Sequence, residues 1–129
     1  MDRNVVAIGS DELVSHAIEK MIQARVWSLL VERQGQPVGV ITDRDILCRC
    51  AALGHYPDKV RIEEIMSSPV ITIGPDAHAG EALSSMIEKN VRRLYVVEAG
   101  KIIGRVTQTG LSRSLLDVMI TLASLRHQL

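Results

Sequence analysis

The stretch GVITDRD, Gly39 to Asp45, runs from a buried-strand pattern straight into a helix start. Val38, Val40 and Ile41 are β-branched and favour a pleated strand, and Thr42 and Asp43 are both helix-capping types. Asp45, Ile46 and Leu47 then open an apolar-periodic segment. The first turn of such a helix offers unpaired backbone N–H groups and the positive end of the helix dipole. An anion, above all a phosphate, is therefore expected beside Thr42. Asp45, one turn in, is placed to accept hydrogen bonds from a pair of vicinal hydroxyls. An ordinary capped helix uses the same residues, with Asp43 and Asp45 only complementing the dipole, and this stretch alone does not separate the two.

The rest of the chain shows what the stretch belongs to. Displacing the sequence by 65 residues lays Val5 to Asp45 over Val70 to Gly110 without a gap. Among the identities are Ile8/Ile73, Gly9/Gly74, Asp11/Asp76, Ala17/Ala82, Met21/Met86, Val31/Val96, Gly35/Gly100, Gly39/Gly104 and Thr42/Thr107. Two copies of one unit therefore make up nearly the whole chain.

Each copy reads as strand, helix, strand, strand, helix. In the first, Val5 to Ile8 is a short strand, and Asp11 is expected to cap a helix from Glu12 to about Arg25. That helix carries Leu13, Val14, Ala17, Ile18, Met21 and Ile22 on one face. Val26 to Val31 and Pro37 to Thr42 follow as strands around a hairpin turn at Gln34 and Gly35, with the proline at the strand start, where a missing donor is tolerated. A second helix is expected from Asp43 to Leu53, stopped by a left-handed cap at Gly54. Glu63 to Met66 makes a short turn before the second copy. There Asp76 caps a helix over Ala77 to Lys89, strands lie near Val91 to Glu98 and Lys101 to Thr107, and a last helix follows. The expected division is 1–60 and 61–129.

Composition narrows the function classes. The 129 residues are 47% hydrophobic with no Phe, one Trp and two Tyr, so the core is aliphatic. With 15 basic and 15 acidic side chains the net charge is zero, which argues against nucleic-acid binding, since that needs a basic field and aromatic stacking platforms. No apolar run of about 18 residues suggests a membrane span, and no leader pattern opens the chain; a cytoplasmic protein is expected. Cys48 and Cys50 point to different sides of their helix, so a disulfide between them is not expected, and two thiols alone do not complete a zinc site. His55 nearby is a further ligand candidate, but small, buried thiols acting as hydrophobes are the expected reading. His16, His78 and His127 match no ligand spacing. No nucleophile, base and orienting group fall into one pattern, so no catalytic site and no enzyme activity are expected.

The repeat, the Gly-x-x-Thr-x-x-Asp pattern at Gly39, Thr42 and Asp45, and the phrase IMSSPVITI leading towards Asp76 together resemble a tandem pair of CBS domains, the family named for the regulatory region of cystathionine beta-synthase. The resemblance covers about residues 1 to 115, and the phrase ITDRDI is similar to that of small stand-alone prokaryotic members. It implies an α/β fold of two pseudo-symmetric β-α-β-β-α motifs packed together as one module. It also implies a regulatory module that binds an adenosyl ligand: AMP, ADP, ATP, an NAD-type dinucleotide or S-adenosylmethionine. On that resemblance Thr42 meets phosphate and Asp45 meets the ribose hydroxyls. Val40, Pro69, Val70 and Ile71 wall the adenine, and Arg92 and Arg93 reach phosphates. Arg44 is a further phosphate candidate, or the member of a surface ion pair.

The second copy keeps Gly104 and Thr107 but has Gly110 where the first has Asp45, and Trp27 with Ser28 stand where the second has the arginine pair. One tight ligand site per chain is therefore expected. Leu111, Leu115, Val118, Leu122, Leu125 and Leu129 form an apolar stripe, widened by Leu116, Met119 and Ala123, that suits a homodimer. A regulated enzyme or transporter is the expected partner. The alternatives are a structural dimerisation module whose nucleotide cleft is vestigial and a detached regulatory piece serving a separate protein.

Overall fold

A computed structural model describes residues 3–107. The expected last helix, the leucine stripe and Gly110 lie outside the described residues. The chain divides into two compact units, Val5–Val70 and the remainder.

The first unit runs β1 (Ala7–Gly9), α1 (Val14–Ala24), β2 (Ser28–Arg33), β3 (Gln36–Thr42), α2 (Asp43–Ile46) and α3 (Ile62–Ile65). Its sheet has the order β1-β2-β3, with β1 parallel and β3 antiparallel to β2. The second unit repeats the plan in β4 (Thr72–Ile73), α4 (Ala79–Lys89), β5 (Arg93–Glu98) and β6 (Lys101–Thr107), with β4 parallel and β6 antiparallel to β5. The repeat extends to irregularities. Gly39 lies opposite Val31 with a register shift after Val31, and Gly104 lies opposite Val96 with a shift after Val96. Both hairpins turn on two residues of positive φ, Gln34–Gly35 and Ala99–Gly100. That is the geometry whose twist suits two antiparallel strands.

Each sheet is covered by its own helix through the apolar positions of the 3.6-residue period. In the first unit Val14, Ala17 and Met21 of α1 pack on Ile8, Leu29, Val31 and Ile41, and Ile62 and Ile65 of α3 complete the cluster. In the second, Ala82 and Met86 of α4 meet Leu94. The core is aliphatic, as the composition demands.

Helix ends depart from expectation in an instructive way. Asp11 and Asp76 do not cap: the residues before α1 and α4 are Leu13 and His78, and neither supplies a side-chain cap. Each helix starts about two residues later than its aspartate implied. At α1 the orphan N–H groups of Val14 and Ser15 donate to the carbonyls of Val60 (2.9 Å) and Pro57 (3.0 Å). Backbone from the segment before α3 thus takes the place of the expected carboxylate. Both helices end alike, on left-handed residues Arg25 and Asn90, with Val26 and Val91 bonding back to Met21 and Met86. The helix opened by α2 does not stay α-helical to Leu53. It widens into a π turn over Leu47–Ala51, where Ala52 N–H reaches the Leu47 carbonyl, before the expected left-handed Gly54.

The segment Ile65–Ser67 lies as a strap against β3. Val40 N–H donates to the Ser67 carbonyl and Ser67 N–H to the Val40 carbonyl, both at 2.8 Å. Gly39 makes this approach possible: a Cβ there would stand 2.7 Å from the Ser67 carbonyl oxygen and 2.9 Å from Met66 Sδ. Gly39→Ala must push the strap away, and a loss of about 1–3 kcal/mol is expected, the usual cost of overfilling a packed site. Urea unfolding is the check, and unchanged stability would show that the strap gives way freely.

Candidate functional site

The junction of β3 and α2 is built as a reciprocal cap. Thr42, the last residue of β3, accepts from Asp45 N–H at 3.1 Å through Oγ1, and Thr42 N–H donates to Asp45 Oδ2 at 3.0 Å. Both ends of the turn are satisfied by each other. The second oxygen of Asp45, Oδ1, accepts from the Ser67 hydroxyl at 3.0 Å, and the Arg49 guanidinium lies 3.9 Å away. Asp45 is 7% exposed. Arg49 also donates to the carbonyls of Ile65 and Met66, each at 3.1 Å, so the same side chain that faces Asp45 holds the strap.

This arrangement changes one expectation. The first-turn N–H groups are not open to an anion. Asp43 N–H donates to the Trp27 carbonyl (3.1 Å), Arg44 N–H to its neighbour's Asp43 Oδ1 (2.9 Å), and Asp45 N–H to Thr42. The Trp27 carbonyl, the Asp43 carboxylate and the Thr42 hydroxyl have consumed the donors that a phosphate would use. What remains on this side is the Thr42 hydroxyl, which accepts from Asp45 and keeps its own hydrogen to donate, and the exposed Arg44, which forms no ion pair among the described residues.

The other expected residues divide by unit. Val40 is buried and is tied to the strap through its backbone; Pro69 is exposed and Val70 half-buried, both following that strap. Ile71 belongs to the second unit, where it packs on the Ala82, Met86 and Leu94 cluster and its carbonyl accepts from Tyr95 N–H at 3.0 Å. Arg92 and Arg93, also of the second unit, differ in setting: Arg92 is exposed, while Arg93 opens β5 opposite Thr107 and is half-buried. Structure therefore joins Thr42 to Asp45 directly, and adds two residues that the sequence did not single out, Arg49 and Ser67. Arg49 stands one helical turn beyond Asp45, a spacing at which an acid and a base meet. Ser67 gave no such signal, because it comes to Asp45 through strand pairing.

A depression of about 590 Å³ lies at the other end of β3, where Ala7–Glu12 and the β2–β3 hairpin meet Lys20 and Glu63. It contains none of the expected ligand residues. Cys50 is buried, its thiol 3.5 Å from the His55 carbonyl, and Cys48 is exposed. Among the described residues no three His, Cys, Asp or Glu side chains converge as a metal site would require, and no helix is long and apolar enough to cross a membrane.

Comparison with known proteins places this geometry. The family model for the CBS domain matches residues 1–51 and again 62–117, so the chain belongs to the CBS-domain family. An uncharacterized protein of Methanopyrus kandleri is 36% identical over 107 residues, covering 81% of this chain and 55% of the relative. One from Methanocaldococcus jannaschii is 31% identical over 96% of this chain and 68% of its own length. The chain thus spans about half to two thirds of these two relatives. Among solved structures, a candidate signal-transduction protein with CBS domains from Burkholderia ambifaria superposes with a TM-score of 0.84 at 27% identity, over 89% of this chain and 85% of that one. A hexameric CBS-CP12 protein from bloom-forming cyanobacteria gives 0.81 at 27% identity, over 86% and 62%.

Proposed function

We propose that this protein is a non-catalytic regulatory module that senses an adenosyl ligand, AMP being the simplest, and passes the signal to a partner enzyme or transporter. The observation that carries the reading is the Asp45 carboxylate, fixed at both oxygens beside the Thr42 hydroxyl. A carboxylate has about four lone-pair sites, and two are taken by Thr42 N–H and the Ser67 hydroxyl. The remaining two match the two hydroxyls of a ribose diol. Thr42 and the exposed Arg44 are the phosphate partners on this unit. The roles of Arg92, Arg93, Pro69, Val70 and Ile71 rest on the family resemblance. Self-association is part of the reading, supported by the leucine stripe and by the hexameric state of the CBS-CP12 neighbour.

A titration of the purified chain with AMP by calorimetry is the test. One site per chain is expected, because Gly110 offers no acceptor in the second copy. At a ligand concentration about 100 times Kd the stabilisation is about 2.7 kcal/mol, a rise of a few degrees in Tm. Two equivalent sites would overturn the assignment of Asp45 as the decisive residue. The second reading, a structural module whose site no longer binds, is favoured by the burial of Asp45 and by its engagement within its own fold. Absence of heat with every adenosyl ligand would establish it.

A further inference from the structure

We propose that Ser67 is a positioning residue of this site: its hydroxyl fixes the Asp45 carboxylate and couples occupancy at Asp45 to the strap Ile65–Ser67. The inference rests on the adenosyl reading for its ligand and on hydrogen-bond geometry for the latch.

The strap has three kinds of attachment. Its backbone pairs with Val40 in both directions, its carbonyls at Ile65 and Met66 are held by Arg49, and its Ser67 hydroxyl is held by Asp45. Two of the three use polar side chains of the helix that starts at Thr42. Asp45 is at once the expected ribose acceptor and the anchor of the strap.

The carboxylate plane is set by one donor at each oxygen, Thr42 N–H at Oδ2 and the Ser67 hydroxyl at Oδ1. Without Ser67 the Oδ2 anchor remains, and Arg49 at 3.9 Å is too distant to define the plane. The carboxylate is then free to turn about its terminal torsion, which is broad. A diol that needs both oxygens must pay to align them, whereas a ligand with one hydroxyl loses little. By linkage, a diol that favours the aligned carboxylate also favours the latched strap. Beyond Ser67 the chain passes through Ser68, Pro69 and Val70 to Ile71, where the second unit begins. The strap thus ends four residues before Ile71, within the first unit.

The experiment compares wild type, Ser67→Ala and Ser67→Thr by calorimetry with AMP and with 2′-deoxy-AMP, and by amide exchange without ligand. Ser67→Ala should weaken AMP about tenfold, the equivalent of one hydrogen bond to a charged group. It should weaken 2′-deoxy-AMP about twofold or less, and speed exchange of the Val40 and Ser67 amides about tenfold while the β2–β3 pairs exchange as before. Ser67→Thr, which keeps the hydroxyl, should restore all three. Equal losses for both nucleotides would show general loosening and overturn the positioning role. Unchanged exchange at Val40 and Ser67 would overturn the latch. Failure of AMP to bind the wild type overturns the adenosyl reading and the coupling with it, and the ligand-free exchange still decides the latch, so the two failures are told apart.

Discussion

Ile62→Ala should lower the unfolding free energy of the first unit by about 2–5 kcal/mol, the range for removing most of a fully buried aliphatic side chain. Ile62 is 0% exposed and joins Leu29, Val31 and Ile41 in the core. Its backbone is engaged as well: Ile62 N–H donates to the Glu12 carbonyl, and its own carbonyl accepts from Met66 N–H, each at 2.9 Å. The cavity therefore opens beneath a segment that both caps α1 and leads into the strap, so little collapse is available to reduce the cost. Urea unfolding followed residue by residue through amide signals should locate the loss within Val5–Val70, with α4, β5 and β6 protected as before. A loss below about 1 kcal/mol would mean that α3 is held by its hydrogen bonds and contributes little to the core.

Periodicity and the internal repeat carried most of the fold, for a physical reason. Strand alternation, helix spacing and hairpin turns are local, and each was written twice in the sequence. The hairpin at Gln34–Gly35 and the left-handed Gly54 were legible because few residue types adopt positive φ without strain. What was not legible depended on distant backbone. Asp11 has every local qualification of a cap, yet Pro57 and Val60 deliver carbonyls to the same donors. Local preference lost to a tertiary partner that no window of sequence contains. The site shows the same division. Thr42 and Asp45, three residues apart on one turn, could be read as a pair. Ser67 could not, because its meeting with Asp45 follows from the Val40 bridge and from the absence of a Gly39 side chain. The π turn after Ile46 was likewise hidden, since an apolar period of 3.6 does not announce an inserted residue.

Asp45→Ala should be the most damaging polar substitution, and its effects on folding and on binding are separable. Removing the carboxylate strands two donors, Thr42 N–H and the Ser67 hydroxyl, in a site that is 7% exposed at Asp45 itself. Two hydrogen bonds to a charged group are lost, partly offset by the water that enters, and a destabilisation of about 2–4 kcal/mol is expected. Thr42 retains its own cap of residue 45, so the helix start survives. Asp45→Asn is the companion variant: its amide oxygen can still accept from one of these donors, and the loss should fall to about 1–2 kcal/mol. Binding should not recover in the same way. A ribose diol donates two hydrogens, and the amide nitrogen presents hydrogens of its own to one of them, so AMP should bind at least tenfold more weakly to both variants, about 1.5–3 kcal/mol. Calorimetry on Asp45→Asn, at a temperature where urea unfolding shows it to be folded, therefore isolates the ligand contact. Wild-type affinity in Asp45→Asn, together with the expected drop in stability, would assign Asp45 to the architecture of the β3–α2 junction and place the ribose contact on other residues.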